Sequence, residues 1–234
     1  MRVYEIPEGS KSAKGRPIQN VSNIEPDDKV KALIGPQDLK EEAYINSHYV
    51  IMCTKKGQVK KTSLEQYSRP RSNGINAITI KDDDELLEAK LTTGNSQVLI
   101  SVKSGKCIRF EEGKTRPMGR NASGVRGIKL KDASDEVVGM ISVNDMDSDI
   151  LVVSENGYGK RSSLEDYRIT NRGGKGVKTI SITEKTGSLV SIKNVSDGDD
   201  LMIINKSGIA IRMEVSDLRV MGRATQGVKL INIK

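Results

Sequence analysis

The chain of 234 residues has very few of the residues that build metal sites, disulfide frameworks and aromatic cores. It contains two cysteines, one histidine, one phenylalanine and no tryptophan. Cys53 and Cys107 are too few for a disulfide framework and lack metal-ligand spacing, so we expect two buried, reduced thiols and no metal site. Because aromatic side chains are scarce, the core must be packed by Val, Ile, Leu and Met.

Long apolar runs and the common catalytic motifs are also missing. No stretch approaches the roughly 18 apolar residues of a membrane span, and residues 1–30 have no signal-peptide core. The chain has no phosphate loop of the GxxxxGK[ST] type, no GxSxG and no HExxH. The stretch from Gly119 to Gly124 looks like a glycine-rich nucleotide loop, but it recurs from Gly222 to Gly227 and is therefore a repeat element. We predict no catalytic residue.

What the chain does contain is an internal repeat of about 50 residues. Four short apolar runs each end in a glycine-containing turn, and the turn glycines are spaced by 48, 52 and 51 residues. Runs this short that end in such a turn are typical of β-hairpins. The hairpin segments are 49–57, 97–105, 150–157 and 201–208, with turn glycines Gly57, Gly105, Gly157 and Gly208.

Two more strands are predicted in most repeats. A second glycine follows each turn glycine after 17 or 19 residues, at Gly74, Gly124, Gly176 and Gly227. Third strands are predicted at 78–80, 128–130, 179–182 and 230–233, and fourth strands at 86–91, 137–143 and 189–195. Four strands per repeat predict one all-β, propeller-like domain over residues 1–234, with repeats at about 1–44, 45–94, 95–147, 148–199 and 200–234.

The first and last repeats are incomplete. Gly15 matches the second glycine of a repeat, so residues 1–7 align with residues 62–68 and no opening hairpin precedes them. The last repeat has no fourth strand. Because propeller domains rarely begin and end inside a blade, we expect a fragment of a longer polypeptide.

Charge alternates in step with the repeat. The net charge is +7, and the stretches between each turn glycine and the third strand are net positive, whereas the joining segments 81–90, 130–149 and 184–200 are net negative. Equivalent positions of stacked repeats lie on one circumference, so the basic residues are predicted to form a band. Cations on glycine-containing loops suit phosphate oxygens, and no base-reading helix or row of stacking aromatics is evident. We expect recognition of the duplex DNA backbone with little sequence readout.

One cation recurs at a fixed position, four residues beyond each turn glycine, at Lys61, Arg109, Arg161 and Arg212. Two interpretations remain open. These residues contact phosphate, or they keep an edge strand soluble and unpaired.

The loop Thr170-Asn-Arg-Gly-Gly-Lys-Gly176 resembles the box motif Q-R/K-R-G-G-K/R-G of the C-terminal domain family of DNA gyrase A proteins. Residues 116–127 and 220–228 are similar to later blades of that family, and residues 14–17 to its second blade. The resemblance covers essentially the whole chain. Thr170 and Asn171 depart from the motif, so only residues 172–176 carry over by identity. The family places this box in a first blade, which we expect to be missing here.

The resemblance implies a six-bladed β-pinwheel with strands exchanged between blades, lacking most of blade one. It also implies that a basic rim wraps duplex DNA and presents a segment to the enzyme core for ATP-dependent negative supercoiling. The catalytic residues, Mg and ATP would belong to other domains or to the gyrase B protein of an A2B2 tetramer. We therefore expect no cofactor in this domain, and whether it counts as an enzyme by itself stays open. The isolated domain is expected to be monomeric, cytoplasmic and nucleoid-associated, without membrane contact.

The predicted DNA contacts are the repeated cations and those of the family-like loops. They are Lys14, Arg16, Lys61, Arg69, Arg71, Arg109, Arg116, Arg120, Arg126, Arg161, Arg172, Lys175, Arg212, Arg219 and Arg223. Among the loop glycines, Gly173, Gly174 and Gly176 are expected to adopt positive φ beside the phosphates, and Gly119 and Gly222 belong to the equivalent loops.

Two other functions stay open at this point. The equivalent domain of topoisomerase IV, a decatenating enzyme, shares the architecture but often has fewer or degenerate blades. A propeller that binds proteins is the less favoured alternative, and it would show no salt-sensitive affinity for DNA.

Overall fold

The repeats fold into a row of antiparallel sheets. The computed structural model describes residues 3–20, 22, 24, 28–71 and 74–233, and residues 1 and 2, which open the first predicted repeat, lie outside this part. The described residues form three four-stranded sheets and one two-stranded sheet. The prediction of an all-β, propeller-like architecture is confirmed.

Fourteen strands and one short helix are formed by the described residues. The strands are β1 (Tyr49–Thr54), β2 (Gln58–Ser63), β3 (Leu86–Thr92), β4 (Gln97–Val102), β5 (Lys106–Glu111), β6 (Val125–Arg126), β7 (Val137–Val143), β8 (Asp149–Ser154), β9 (Tyr158–Ser163), β10 (Val177–Lys178), β11 (Leu189–Val195), β12 (Asp200–Ile204), β13 (Ala210–Glu214) and β14 (Val228–Lys229). The helix α1 (Glu42–Ser47) precedes β1. A 3-10 turn follows each hairpin, at Leu64–Tyr67, Glu112–Lys114, Leu164–Asp166 and Val215–Asp217, and two more lie at Val3–Glu5 and Ile18–Asn20. None of these helices is long and apolar enough to cross a membrane.

The four hairpins form where the sequence predicts them, as β1–β2, β4–β5, β8–β9 and β12–β13. All four turn glycines have positive φ, between 78° and 85°. A residue with a Cβ adopts this conformation only with strain, which explains the glycine at each turn. The fourth strands β7 and β11 have the predicted bounds, and β3 extends one residue further.

Each four-stranded sheet borrows its last strand from the following repeat. The first sheet has the order β3-β1-β2-β6, the second β7-β4-β5-β10 and the third β11-β8-β9-β14. The borrowed strands have two residues each and pair antiparallel with the second strand of the preceding hairpin. The strand exchange implied by the resemblance is therefore present.

The third strands lie elsewhere than predicted. They begin directly after the second glycine, at 125–126, 177–178 and 228–229, and Ile78–Ile80 forms no strand. The apolar residues that suggested strands at 128–130 and its equivalents instead fill the interface between sheets. Ile128, for example, is 1% exposed and lies against the turn glycine Gly57 of the preceding repeat. A run of apolar residues indicates only that these residues are buried. Here they are buried by packing between two sheets, without forming a strand.

The fourth strands lie at the inner edge of the sheets. On β3, Glu88 accepts a hydrogen bond at Oε2 from the backbone N–H of Met140 on β7, at 3.1 Å. Gly139 on β7 lies so close to β11 that a Cβ there would meet the Ile192 side chain at 2.8 Å. Successive sheets therefore converge at β3, β7 and β11, and the borrowed strands β6, β10 and β14 occupy the opposite, outer edge.

The core is divided among three seams, as we call the interfaces between consecutive sheets. Mostly aliphatic side chains fill each seam, as the scarcity of aromatics predicts. The first seam includes Ile51, Val59, Ile100 and Phe110, the second includes Leu99, Cys107, Ile150 and Tyr167, and the third includes Leu151, Val195 and Val215. Both cysteines are free and buried, as expected. Burial raises the pKa of the Cys107 thiol to about 12.

The two ends of the row differ. The first sheet is covered on its free face by side chains of the segment 32–45, which includes the first residues of α1. The last sheet, β12–β13, has only two strands, and Met202 and Ile204 on one of its faces are 62% and 64% exposed. No described residue before Tyr49 lies in a strand.

Candidate nucleic-acid interface

The topology separates the two signs of charge. Acidic residues concentrate in segments that flank the inner strands, at 82–85, 132–136, 145–149 and 197–200. The loops 116–124, 168–176 and 219–227, which we call the cation loops, lead instead into the outer strands β6, β10 and β14. The band of positive charge predicted from the repeat therefore lies along the outer edge.

Each cation loop is fixed to the sheet of the preceding repeat by the same backbone bond. The N–H of Met118 donates to the carbonyl of Lys61 at 2.7 Å, and equivalent bonds join Thr170 to Arg109 and Met221 to Arg161, both at 2.8 Å. The three loops therefore present equivalent residues at equivalent places on three successive sheets.

Arg120, Arg172 and Arg223 occupy the same position in the three loops and clasp the repeat before them. Their Nη1 atoms donate to the carbonyls of Asn76, Arg126 and Lys178, at 3.2, 3.1 and 2.8 Å. Nε of Arg172 and Arg223 donates to carbonyls of the preceding 3-10 turn, those of Lys114 and Asp166, both at 3.0 Å. Within the described residues, Nη2 of each guanidinium has no hydrogen-bond partner, so it is available to an anion.

Exposed cations surround these arginines. Of the predicted contacts, Arg116, Arg126, Lys175 and Arg219 are exposed on the outer edge. Three more exposed cations share their positions and were missed: Arg168 is equivalent to Arg116 and Arg219, and Lys178 and Lys229 are equivalent to Arg126. The signal was in the sequence, since each lies at a fixed spacing from its turn glycine or second glycine.

Lys61, Arg109 and Arg161 do not lie on the outer surface. They are 4%, 8% and 8% exposed. Each donates to the first carbonyl of the next 3-10 turn, that of Glu112, Leu164 or Val215, at 3.3, 2.6 and 3.1 Å. This burial corrects both interpretations of the position, because these cations neither face phosphate nor sit at a solvated edge. We call them seam cations, since they fasten one sheet to the next.

Arg212 has the same sequence position but a different environment. Its side chain is 68% exposed and forms an ion pair with Asp200 on the neighbouring strand. In the third sheet, the equivalent pair is Arg161 with Asp149, at 2.5 Å, and it is buried in the seam. Arg212 lacks this cover because no further described sheet follows β12–β13 in the row.

The remaining predicted cations lie toward the first repeat. Lys14, Arg16, Arg69 and Arg71 are all exposed. Arg71 lines an open cleft together with Asn76 and Arg120, so the loop before Gly74 contributes to the same edge as the cation loops.

The loop glycines divide into two kinds. Gly173 and Gly176 have φ of 81° and 68°, as expected, and a Cβ on Gly176 would lie 2.5 Å from the carbonyl oxygen of Cys107. Gly174 has no positive φ, so that part of the expectation is wrong. Gly119 and Gly222, in the equivalent loops, also have no positive φ and lie in open space.

Two buried lysines were not anticipated. Lys60 and Lys160 lie one residue before the seam cations and are 0% and 1% exposed. Burial, followed by the nearby Arg120, lowers the pKa of Lys60 to about 8. Burial also lowers the pKa of Lys160 to about 8, with Asp166 raising it and Arg223 lowering it. Sequence reasoning singled out neither lysine, since a buried ammonium is rare.

The part of the chain that the structure describes offers no group of three or more His, Cys, Asp or Glu arranged to hold a metal ion. The outer edge presents guanidinium, ammonium and backbone N–H groups, which suit an anion.

Known proteins are similar to this chain in sequence and in architecture. The model of the DNA gyrase C-terminal domain, described as a beta-propeller, matches residues 1–34, 48–93, 103–144, 148–196 and 199–234. The DNA gyrase A protein of Staphylococcus epidermidis (strain ATCC 12228) is 44% identical over 234 residues, which is 100% of this chain and 26% of the relative. The chain thus spans about a quarter of the length of the curated relatives it matches.

Two solved structures share the fold. The C-terminal domain of DNA topoisomerase IV has a TM-score of 0.88 at 23% identity, covering 98% of this chain and 70% of the other. The DNA gyrase A C-terminal domain has a TM-score of 0.82 at 24% identity, covering 95% and 72%. At these identities the structures show the fold alone, and it is the family match over most of the chain that assigns it. It belongs to the DNA gyrase C-terminal domain family of β-propellers.

Proposed function

We propose that the outer edge binds duplex DNA through its phosphates and bends it around the row of sheets, with little preference for sequence. The observation that carries this proposal is the equivalent placement of exposed cations on successive sheets. Arg116, Arg168 and Arg219 recur in the loops, and Arg126, Lys178 and Lys229 recur on the outer strands.

Two further features support phosphate contact over base recognition. The described cation loops present guanidinium groups and glycine-containing backbone, which suit phosphate oxygens, and no helix of the described residues projects from the outer edge to enter a groove. The acidic segments flank the inner strands, so they do not oppose a polyanion on the outer edge. A curved row of cations favours a bent duplex, whose energetic cost the added contacts offset.

The test is a salt titration of affinity for a duplex of arbitrary sequence. If six to ten phosphates are contacted, affinity falls by roughly 10³–10⁵ between 50 and 200 mM salt. Neutralising the outer-strand cations with Arg126→Ala, Lys178→Ala and Lys229→Ala together removes about one unit of salt slope per lost contact, roughly three in all.

The matched control removes the same charge elsewhere. Lys81, Lys103 and Lys193 are exposed but lie beside or on the inner side of the sheets. The triple alanine variant at these positions should keep the wild-type slope. A control variant that weakens binding as much as the outer-strand variant would remove the outer edge as the interface, and salt-independent binding would reject phosphate recognition altogether.

In the longer protein, this DNA path would present a segment to the cleavage core of gyrase, with the gyrase B protein of an A2B2 tetramer supplying ATP hydrolysis in the cytoplasm. No cofactor is needed for the part proposed here. The relative at 44% identity is a DNA gyrase A protein, which favours gyrase over topoisomerase IV. The deciding assay uses the full-length protein with its partner on relaxed plasmid. ATP-dependent negative supercoils support gyrase, and decatenation without them assigns the domain to topoisomerase IV.

A further inference from the structure

Lys60 and Lys160 are buried cations without a carboxylate partner. Among the described residues, neither forms an ion pair within 4.0 Å, whereas the seam cations Lys61 and Arg161 both do. Removing an ammonium from water is expensive unless strong hydrogen bonds replace the lost hydration. Each lysine must therefore be held by specific acceptors.

Those acceptors are backbone carbonyls of the next repeat's cation loop. Lys60 Nζ donates to the carbonyl of Arg120, and Lys160 Nζ donates to the carbonyl of Gly222 at 2.6 Å, one residue before Arg223. Lys60 also donates to the carbonyl of Ala77 at 2.5 Å, beside the carbonyl that Arg120 clasps. Both ammonium groups thus fix the backbone at or next to a clasp arginine.

The middle repeat shows what replaces such a lysine. There the equivalent residue is Ile108, which is buried at 2% exposure. The cation loop above it contains exposed Lys175, at the position of Ser123 and Gln226 in the other two loops. Each of the three cation loops therefore has one additional cation close to it. In two loops this cation is the buried lysine beneath the loop, and in the third it is Lys175 of the loop itself. Packing alone does not require this, since Ile108 fills the same space.

We propose that Lys60 and Lys160 are positioning residues of the DNA-binding edge, each holding the cation loop above it in place and adding positive charge beneath it. This inference rests on the proposed function, because the loop is positioned for phosphate. The ligand is the DNA backbone, and the lysines act on it through the loops.

The environment of the two ammonium groups makes the effect pH-dependent. Lys60 faces Arg120, and the hydroxyl of Tyr67 donates to the same carbonyl of Ala77. Lys160 faces Asp166 and Arg223. With pKa values lowered to about 8, both lysines lose their proton at a much lower pH than an exposed lysine does. The charge is present below pH 8 and absent above it, so DNA affinity should fall as the pH rises through 8.

Folding stability and DNA affinity change in opposite directions as the pH rises. Because the folded-state pKa lies below the unfolded value, the unfolded chain binds more protons between about pH 8 and 10.4, and folding stability rises with pH in that window. DNA affinity falls over the same range. If the two lysines served only the fold, DNA affinity would not fall with rising pH while folding stability increases.

The experiment compares the chain with its double variant Lys60→Met and Lys160→Met, using a duplex of arbitrary sequence at fixed salt. Burial lowers the pKa of both lysines, so each charged ammonium costs folding free energy that Met at the same position avoids, and the variant should fold. Its affinity at pH 7 is expected to be about three- to tenfold weaker, with an unchanged or raised Tm. The difference from the parent chain should disappear by about pH 9.5, where both ammonium groups have lost their protons.

Amide hydrogen exchange gives a second readout. Exchange should accelerate in the loops 119–124 and 222–227 of the double variant and stay unchanged in 171–176. The matched control is Ile108→Met, which changes the same position without removing an ammonium and should leave affinity and its pH profile as in the parent.

The outcomes separate the two proposals. If the parent chain binds no DNA, the proposed function fails. If the parent binds but the double variant matches Ile108→Met within about twofold across that pH range, the positioning role is overturned while DNA binding stands. A variant that loses affinity together with stability also overturns it, because the lysines would then serve the fold.

Discussion

The third seam and the last sheet contain the same kinds of residue, but these residues are buried in the seam and exposed on the last sheet. In the third seam, Leu151 is 1% exposed and Arg161 is buried against the next 3-10 turn. On the last sheet, the equivalent Met202 is 62% exposed and Arg212 is exposed beside Asp200. The turn glycine Gly157 lies against Ile231, whereas no described residue would meet a Cβ on Gly208 within 4 Å. A repeat position therefore acquires its role from the sheet that packs on it.

The comparison is tested most strongly at the seam cation. Arg161→Ala leaves the carboxylate of Asp149, 9% exposed, without its partner. Breaking a buried pair in this way costs about 3–5 kcal/mol of unfolding free energy. Arg212→Ala, with an exposed pair, should change stability by less than about 1 kcal/mol. Urea titration of the two variants measures both, and equal losses would refute the distinction between seam and open sheet.

The apolar positions give the next largest contrast. Leu151→Ala removes a fully buried side chain from the third seam and should destabilise the chain by about 2–5 kcal/mol. Met202→Ala removes a mostly exposed side chain, and its effect should stay within about 0.5 kcal/mol. The shift of the urea midpoint is the measurement. A large effect of Met202→Ala would indicate that another surface covers the last sheet in solution.

The turn glycines provide the smallest and cleanest contrast. Alanine at Gly208 meets only the cost of positive φ, about 1 kcal/mol. At Gly157, with a similar φ, the new Cβ would also collide with the carbonyl oxygen of Ile231. Thermal unfolding should show a lower Tm for Gly157→Ala than for Gly208→Ala. Matching Tm values would mean that the third seam accommodates the new Cβ without loss of stability.

Much of the local structure was predictable because it follows from short-range chemistry. The turn glycines, the hairpins and the bounds of β7 and β11 need only strand patterning and the backbone freedom of glycine. The outer cations were predictable in part, since Arg116, Arg126 and Arg219 recur with the repeat, and the same spacing contains Arg168, Lys178 and Lys229.

The errors share one physical cause. Ile128 and its equivalents were interpreted as strand residues and Arg109 as a surface cation, yet both are buried at a seam. Periodicity reports which residues avoid water, and it carries no information on whether the neighbour belongs to the same sheet or to the next one. Lys60 was missed for the same reason, since the carbonyls that hold its ammonium come from residues 77 and 120.

The amino-acid sequence by itself determined the repeat, the hairpin turns, the sign and spacing of the charges and the family. Only the tertiary structure decided which cations face solvent and which fasten sheets together. The reason is that Lys61, Arg109, Arg161 and Arg212 are equivalent in the chain, and only the presence of a following 3-10 turn carbonyl separates a buried seam cation from an exposed one.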